Sequence, residues 1–385
     1  MPRASRLMAA ATAALLTVGL AACSSSNPEA STPATSGNAA SETSSPQTSN
    51  PETITAPAVS AGTSADVTTA SAGATSGSAA AWTPVTIEHA LGTVTIQTRP
   101  ERVATVNWAN QEVPLALGIV PVGMAAANFG DDDGDGILPW VSEKLEELGG
   151  EAPVLFDETD GIDFEAVGDT HPDVILAAYS GLTQQDYDTL SEIAPVVAYP
   201  ETAWGTPWRD MIEVSSRALG RADEGKALVA DLEKQMADTV AKYPQIAGKS
   251  AMFLTHVDPT DLSQVSFYTT HDTRAMFFND LGLKTPASIA TASAATDKFS
   301  LTQSAELADA FSDVEIIVTY GNQELVDTLK KDPVLSQMPA VANGAIVSLP
   351  GDSPLGTAAN PTPLSIAWVL DDYLALIADA ASKGQ

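Results

Sequence analysis

The sequence predicts an α/β protein in which two sheet-containing lobes are joined by one long helix. Strand-like runs alternate with helical patterns over two stretches of the chain, and a long amphipathic pattern separates those stretches. Such alternation favours mainly parallel sheets, and the length exceeds what one small core needs. We therefore expect a first lobe at about 82–207, a bridging helix at about 222–243 and a second lobe at about 245–385.

The first lobe is expected to open with a hairpin, because 85–87 and 94–96 alternate apolar and polar residues around a turn. Short apolar runs and helical patterns then follow one another. The predicted strands are 103–106, 120–124, 174–178 and 196–199, and the predicted helices are 114–117, 164–167 and 184–193. This order predicts a parallel sheet with helices packed on it.

The bridge is predicted as two helices, 208–219 and 223–243. The second repeats an apolar residue every four positions, carries Asp223 and Glu224 in its first turn, and ends at Pro244. Its apolar positions are Leu228, Leu232, Met236 and Val240. At 1.5 Å per residue it would measure about 30 Å, roughly the diameter of a small domain, and could connect two lobes.

The second lobe repeats the alternation of the first. The predicted strands are 250–254, 265–268, 314–320 and 345–349, and the predicted helices are 273–281, 325–329 and 364–380. In proteins built this way, ligands bind in the crevice between the lobes, near the ends of the strands.

The N-terminus predicts a secretory signal peptide over residues 1–22. Arg3 and Arg6 precede an apolar run, 7–20, that is too short to span a bilayer, and small residues follow it. The run Leu20-Ala-Ala-Cys23 resembles the lipobox of bacterial lipoproteins, which implies cleavage before Cys23 and acylation of its sulfur. The alternative is an ordinary signal peptide with a chance cysteine. With the lipid, the protein would be extracytoplasmic and attached to the outer face of the cell membrane through that anchor only.

Residues 23–81 are expected to form a disordered linker. Of the 58 residues at 24–81, 47 are Ser, Thr, Ala, Pro or Gly. Such a segment buries too little apolar surface to offset its ordering entropy. As a flexible coil it would have a root-mean-square length of roughly 40 Å.

Composition excludes several classes of function. Cys23 is the only cysteine, so disulfides and thiolate chemistry within the folded part are excluded. From Trp82 onward, 16 Lys and Arg stand against 45 Asp and Glu, a formal charge of −29. That charge would repel nucleic acid and anionic lipid headgroups, so neither is expected as a partner.

Two segments with the same layout occur once in each lobe. Asp163-Phe-Glu165-Ala-Val precedes the run that begins at His171-Pro-Asp173, and Ser304-Ala-Glu306-Leu precedes Asp313-Val-Glu-Ile-Ile-Val. This pairing resembles the substrate-binding proteins of ABC importers for ferric siderophores, haem and vitamin B12, the rigid-helix class. Further segments look similar to that family, and the resemblance covers about 82–380. They are 99–103, 115–123, 190–197, 218–221 and 330–347.

The resemblance implies a class III periplasmic-binding-protein fold, in which two Rossmann-like lobes are joined by a single long helix. It also implies a monomer without a cofactor that captures a ferric siderophore and delivers it to an ABC importer, with haem or cobalamin as the alternative ligand. Glu165 and Glu306 would then meet arginines of the permease subunits, one from each lobe. The simpler interpretation is that both carboxylates only complement helix dipoles.

The family supplies no fixed ligand motif, so the ligand-binding candidates are inferred from position. A ferric chelate favours aromatic walls and a few basic donors, and such residues occur at predicted strand ends and junctions. The candidates are Trp108, Tyr179, Trp204, Trp208, Arg209, Tyr268, His271 and Arg274. For haem, the candidate axial ligands are His256, His271 and Tyr268, although none has a diagnostic spacing.

An acidic run in the first lobe resembles part of a calcium-binding motif. The run 131–136 reads Asp-x-Asp-x-Asp-Gly, the first half of a calcium loop, but Ser142 replaces the bidentate glutamate at the twelfth loop position. We therefore assign no metal.

Signatures of serine hydrolases, zinc proteases and P-loop enzymes are absent from the sequence. We expect a binding protein; an enzyme or a passive surface adhesin remains the alternative.

Overall fold

The structure is a computed structural model that describes residues 82–384. The predicted signal peptide 1–22, Cys23 and the predicted linker 23–81 lie outside the described residues.

The described part is an α/β structure of twelve strands and twelve α-helices. The strands are β1 Val85–His89, β2 Gly92–Ile96, β3 Val103–Thr105, β4 Gly123–Ala125, β5 Val154–Phe156, β6 Val174–Leu176, β7 Val196–Val197, β8 Ala251–Phe253, β9 Gln264–Tyr268, β10 Ser300–Ser304, β11 Ile316–Tyr320 and β12 Ile346–Leu349. The helices are α1 Glu112–Ala116, α2 Pro139–Leu148, α3 Phe164–Asp169, α4 Gln184–Ser191, α5 Trp208–Ala218, α6 Ala222–Val240, α7 Thr273–Asp280, α8 Ala287–Ser293, α9 Gln323–Lys331, α10 Pro339–Asn343, α11 Pro354–Ala358 and α12 Ser365–Lys383. Short 3₁₀ helices occupy Pro244–Ile246, Ala305–Phe311 and Leu335–Gln337.

The first lobe contains a five-stranded parallel sheet in the order β5-β4-β3-β6-β7. The central strands β3 and β6 are buried along their whole length, as expected for a sheet covered on both faces. The predicted hairpin is present as β1 and β2, antiparallel, with Ile87 and Ile96 facing the core.

The second lobe contains a three-stranded parallel sheet in the order β12-β11-β8. Strands β9 and β10 form a separate antiparallel pair. A single bridge between Leu254 and Phe267 links that pair to the end of β8. The prediction of parallel sheets is therefore confirmed for both lobes, and β9 with β10 is an antiparallel addition.

The predicted long helix is α6, which spans 19 residues. Leu232 and Met236 of its apolar stripe are buried, and α12 packs along it. Helix α5 lies closely against its N-terminal half, where a Cβ at Gly225 would come within 2.1 Å of the Ser216 hydroxyl oxygen. Glycine at that position therefore allows the two helices to approach each other.

The lobes also touch each other directly, because one continuous hydrophobic core includes residues of both. The rings of Trp140 in α2 and Trp368 in α12 are 5.2 Å apart. The buried carboxylate of Glu112 accepts hydrogen bonds from the Trp140 indole nitrogen at 2.7 Å and from the Leu364 backbone at 2.8 Å. The two lobes are therefore joined by direct contacts as well as by α6.

The sequence patterns missed several elements: α2, β5, α8, β10, α10 and α11. Most are short, and β10 (Ser-Leu-Thr-Gln-Ser) is polar and depends on pairing with β9. The segment around Glu306, where the helix-dipole interpretation requires a helix start, forms a 3₁₀ helix rather than an α-helix. Among the described residues, no helix is both long enough and apolar enough to cross a bilayer.

Candidate functional site

A cavity of about 410 Å³ lies between the lobes, at the carboxyl ends of the parallel strands. Residues that follow β3, β4, β6 and β7 form one wall, and residues from the second lobe form the other. The lining residues are Trp108, Asn128, Phe129, Tyr179, Trp204, His256, Arg274, Phe299, Tyr320, Thr357 and Asn360. This is the position in which α/β proteins of this kind hold ligands.

Strained backbone positions present two tryptophans to the cavity. Ala109, next to Trp108, has φ 60°, and Trp204 itself has φ 59°. Positive φ is costly for residues other than glycine and persists only where the surrounding structure holds it. The ring of Trp204 stands edge-on to Tyr179 with centroids 5.5 Å apart. The aromatic wall of the first lobe is therefore held in one arrangement.

Tyr179 links the two lobes through a ring of hydrogen bonds. Its hydroxyl accepts a hydrogen bond from the Asn360 amide at 3.2 Å and lies 3.4 Å from the Thr273 hydroxyl. Thr273 in turn donates to the Asn360 carbonyl oxygen at 2.5 Å. On the first-lobe side, the Asn110 side chain accepts from the Tyr179 backbone N–H at 3.0 Å and donates to its carbonyl at 2.8 Å. The phenol ring is thus fixed from both ends.

Arg274 is the one charged side chain among the described residues that line this cavity. Its guanidinium makes a bidentate pair with Asp272, at 2.8 and 2.7 Å, and lies 3.9 Å above the ring of Tyr268. The remaining nitrogen, Nη1, is 3.4 Å from the Tyr320 hydroxyl at the cavity wall. Burial opposes the charge, but the hydrogen bonds and charge of Asp272 outweigh it and raise the pKa of Arg274. The cavity therefore contains one fixed cation with a donor available to a ligand.

The floor of the cavity is an aromatic stack that crosses between the lobes. His256, after β8, stacks on Tyr320 at the end of β11 with ring centroids 4.7 Å apart. Phe129 of the first lobe meets both rings edge-on, at 6.3 and 6.4 Å. The adjacent Gly130 has φ +79°, and a Cβ there would lie 2.0 Å from the Thr357 hydroxyl oxygen. The lobes meet closely at this point.

The tyrosines of the cavity stay protonated near neutral pH. Burial raises the pKa of Tyr179 and of Tyr320, although the Arg274 charge acts in the opposite direction on both. Each phenol can therefore donate a hydrogen bond to a ligand oxygen, whereas the phenolate form is disfavoured.

Four of the eight predicted ligand-binding residues come together in this cavity: Trp108, Tyr179, Trp204 and Arg274. Tyr268 is buried beneath the Arg274 guanidinium, where it supports the arginine from behind. His271 lines a separate cavity with Glu201 and Asp210, and its Nε2 donates to the carbonyl of Thr296 at 2.9 Å.

The remaining pair, Trp208 and Arg209, connects helices away from this cavity. The Trp208 indole donates to Asp280 in α7 at 3.0 Å, and its ring lies 4.1 Å below the Arg209 guanidinium. Arg209 bonds Asp280 at 2.9 Å and Glu233 in α6 at 2.7 Å. Both side chains hold α5 against its neighbours.

Seven residues that line the cavity were not among the predicted siderophore-binding residues. They are Asn128, Phe129, His256, Phe299, Tyr320, Thr357 and Asn360. His256 was a candidate only as an axial ligand of haem. Tyr320 was detectable, because it is the last residue of the predicted strand 314–320, and Tyr179 directly follows the predicted strand 174–178. Thr357, in α11, and Asn360, just after it, carried no signal, since only the packed fold brings this segment to the cleft.

Glu165 and Glu306, the predicted docking residues, are both exposed. Glu165 lies in the first turn of α3, where Asp163 accepts a hydrogen bond from Ala166 as the N-cap. Glu306 lies in the first turn of the 3₁₀ helix Ala305–Phe311, next to the N-cap side chain of Ser304. Each lobe therefore presents one of the two predicted docking carboxylates in the first turn of a helix.

In the acidic loop, carboxylate oxygens of Asp131, Asp133 and Asp135 lie within 4.8 Å of one another. The two oxygens of Asp131 accept backbone hydrogen bonds from Gly134 at 2.8 Å and from Gly136 at 2.7 Å. The loop thus uses this carboxylate to hold its own turn, and we assign no metal to it.

Known proteins resemble this chain in sequence and in fold. The profile of a family described as "periplasmic binding protein" matches residues 103–353. A solved structure of PiaA from Streptococcus pneumoniae in complex with ferrichrome is 43% identical, with a TM-score of 0.75, and covers 78% of this chain and 100% of that one.

Two curated proteins also match. A probable siderophore-binding lipoprotein of Bacillus subtilis, YfiY, is 28% identical over 203 residues; the match covers 52% of this chain and 57% of YfiY. The ferric enterobactin-binding periplasmic protein FepB of Escherichia coli is 23% identical over 282 residues, which is 70% of this chain and 85% of FepB.

Proposed function

The chain belongs to the periplasmic binding protein family, and on that premise we propose that it captures a ferric siderophore between its two lobes and delivers the complex to an ABC importer. The observation that carries the proposal is the inter-lobe cavity of about 410 Å³ with aromatic walls and a single paired arginine. A ferric siderophore is a metal ion wrapped in an organic shell, so aromatic side chains supply contact area while a few polar groups orient it.

The charge of the cavity favours a chelate with little net charge, such as a ferric trihydroxamate. The Arg274 cation is balanced by Asp272, whose side chain is 1% exposed. Around it, residues 82–385 carry a formal charge of −29, which repels anionic chelates. Ferrichrome is the ligand named for the PiaA structure, and its chemistry, a trihydroxamate whose three negative charges balance Fe³⁺, is of this kind.

Siderophore is supported over haem and cobalamin. The relatives are named for siderophores. The candidate axial set for haem is dispersed, since His256 lines the cavity, Tyr268 lies beneath Arg274 and His271 lines another cavity. No enzymatic step is assigned to the protein, and the importer uses the ATP.

In the proposed cycle the lobes move little. The direct inter-lobe contacts at Tyr179, Trp140 and Glu112 act with α6 to keep the lobes close together. Ligand binding would stabilise the closed cleft, and the exposed carboxylates Glu165 and Glu306 would present the loaded protein to the permease. An N-terminal lipid on Cys23 would hold the protein, as a monomer, at the outer face of the cell membrane.

Tryptophan fluorescence tests the proposal, because Trp108 and Trp204 line the cavity. The folded domain is titrated with ferrichrome, ferric enterobactin, ferric citrate, haem and cobalamin. We expect saturable quenching by ferrichrome and at least roughly hundredfold weaker binding of trianionic ferric enterobactin, about 2.7 kcal/mol. Stoichiometric haem binding with a Soret band, or no quenching by any ferric chelate, would contradict the proposal.

A further inference from the structure

A second cavity, of about 210 Å³, continues the cleft sideways along the first-lobe sheet. It shares Trp108, Asn128 and Trp204 with the main cavity, so the two adjoin across these residues. We call it the side pocket. It runs past the carboxyl ends of β3 and β4 to the edge strand β5, and Glu158 lies just beyond β5.

Glu158 is the one charged residue among the described residues lining the side pocket, and it forms no salt bridge with a described residue. Asn107 fixes its position: the Asn107 backbone N–H lies 3.1 and 3.0 Å from the two carboxylate oxygens, and the side-chain amide donates at 2.9 Å. Asn107 has φ 58°, so the backbone is held in an uncommon conformation to make these contacts. Burial raises the pKa of Glu158, against the hydrogen bonds from Asn107.

Gln111 provides an independent observation. This residue is 6% exposed and is one of those that line the side pocket, and its side-chain oxygen Oε1 is buried and has no hydrogen-bond partner among the described residues. A buried acceptor without a partner costs about 1–3 kcal/mol, which a donor in the pocket would recover. The side pocket therefore offers acceptors and negative charge, whereas the main cavity offers phenol and guanidinium donors.

We propose that the side pocket binds an ammonium-bearing arm of the chelate, with the charged nitrogen at Glu158 and an N–H directed to Gln111. The inference rests on the proposed function, because the arm belongs to a siderophore held in the main cavity. A volume of about 210 Å³ has room for a short alkylamine chain, since a water molecule in the liquid occupies about 30 Å³. The iron-chelating groups would remain beside Arg274 and the aromatic walls.

Two ferric chelates that differ only in the arm test this proposal. Ferrioxamine B is a linear trihydroxamate with a protonated aminopentyl arm, and its N-acetyl derivative lacks that charge. Both are titrated by tryptophan fluorescence against the native protein and three variants. Glu158→Gln removes the charge and keeps the side-chain shape; Gln111→Leu removes the unpaired acceptor and provides a second route if the first variant folds poorly.

The matched control is Asp157→Asn. Asp157 is adjacent in sequence and exposed, and its side chain bonds Thr159 outside the side pocket. This variant removes the same charge, so it accounts for the general attraction between an acidic protein and a cationic ligand.

We expect the native protein and Asp157→Asn to bind ferrioxamine B at least tenfold more tightly than the acetylated chelate. In Glu158→Gln this preference should fall to within about twofold through weaker binding of ferrioxamine B alone, and Gln111→Leu should reduce it in part. A preference for ferrioxamine B that survives in Glu158→Gln would overturn the proposal. Equal weakening of the binding of both chelates would also overturn it, because Glu158 would then be a structural residue. If the native protein binds ferrichrome but neither of these chelates, the side-pocket proposal is wrong and the proposed function stands. If it binds no ferric chelate, both proposals are wrong.

Discussion

At the scale of single residues, Arg274 has the most constrained environment in the cavity. Asp272 occupies two of its nitrogens, Tyr268 supports the guanidinium plane, and Nη1 is directed to Tyr320. A planar group with several donors at fixed angles suits this position, whereas a lysine ammonium could satisfy Asp272 but not the cavity wall as well. The same chemistry recurs outside the cavity at Arg209, which also lies over an aromatic ring and pairs with two carboxylates.

This similarity gives a matched test of ligand contact. Arg274→Lys keeps the charge beside Asp272 but removes Nη1, whose second N–H is the donor left for a ligand, so ferrichrome affinity should fall roughly tenfold, about 1.4 kcal/mol. Arg209→Lys should change that affinity by less than about twofold, because Arg209 lies away from the cavity. Fluorescence titration measures both. Equal losses in the two variants would show that Arg274 acts through general stability rather than contact.

At the scale of elements, Glu112 connects three helices through one buried carboxylate. It lies in α1, accepts from Trp140 in α2, and accepts from Leu364 at the N-cap of α12. Glu112 is 0% exposed, and none of the described residues forms a salt bridge with it. The lobes are thus joined by a group whose charge is costly to bury and whose removal would leave two donors unsatisfied.

We expect Glu112→Ala to lower the free energy of unfolding by about 2–4 kcal/mol, because the Trp140 and Leu364 donors lose their acceptor. Glu112→Gln keeps an acceptor and should cost less, about 1 kcal/mol. Urea denaturation at neutral pH measures both. If Glu112→Ala lowers the free energy of unfolding by less than Glu112→Gln does, this carboxylate does not act as an acceptor between helices.

The pH dependence of stability tests the same group. Burial raises the pKa of Glu112 against its hydrogen bonds, so the folded state binds the proton more tightly than the unfolded state does. The stabilising contribution of this proton is present at low pH and is lost as the pH rises through the folded-state pKa. The free energy of unfolding of the native protein should therefore fall relative to that of Glu112→Gln as the pH rises from acidic to neutral. A difference that shifts the other way would contradict the raised pKa.

At the scale of the whole molecule, the exposed carboxylates Glu165 and Glu306 are distributed one to each lobe. Leu307, beside Glu306, is 53% exposed. Val154, 49% exposed, lines the same surface depression as Ala166, the neighbour of Glu165. An exposed aliphatic side chain beside each carboxylate supports the proposal that these surfaces meet a partner.

Reversing both charges, Glu165→Lys with Glu306→Lys, should abolish siderophore uptake by cells and leave ferrichrome affinity within about twofold, because both residues lie outside the cavity. The matched control is Glu192→Lys with Glu324→Lys, which changes two other exposed glutamates, one in each lobe. Uptake of radiolabelled ferric iron and fluorescence titration are compared for the two double variants. Normal uptake, or a loss of affinity, in the first double variant would contradict permease docking.

The sequence by itself determined the α/β class, the two parallel sheets and the long helix α6, because strand alternation, helical periodicity and helix ends are local properties. It also indicated Trp108, Tyr179 and Trp204, which follow parallel strands of the first lobe, and Arg274, which lies at a strand-to-helix junction of the second lobe. Residues just beyond strand ends can face the crevice. Only the tertiary structure separated these from Tyr268 and Trp208, because an aromatic residue near a strand end suits a cavity wall and a core equally well. Only the tertiary structure brought Asn360 to Tyr179 and Glu158 to the side pocket, because these positions depend on contacts between segments that are distant in the chain.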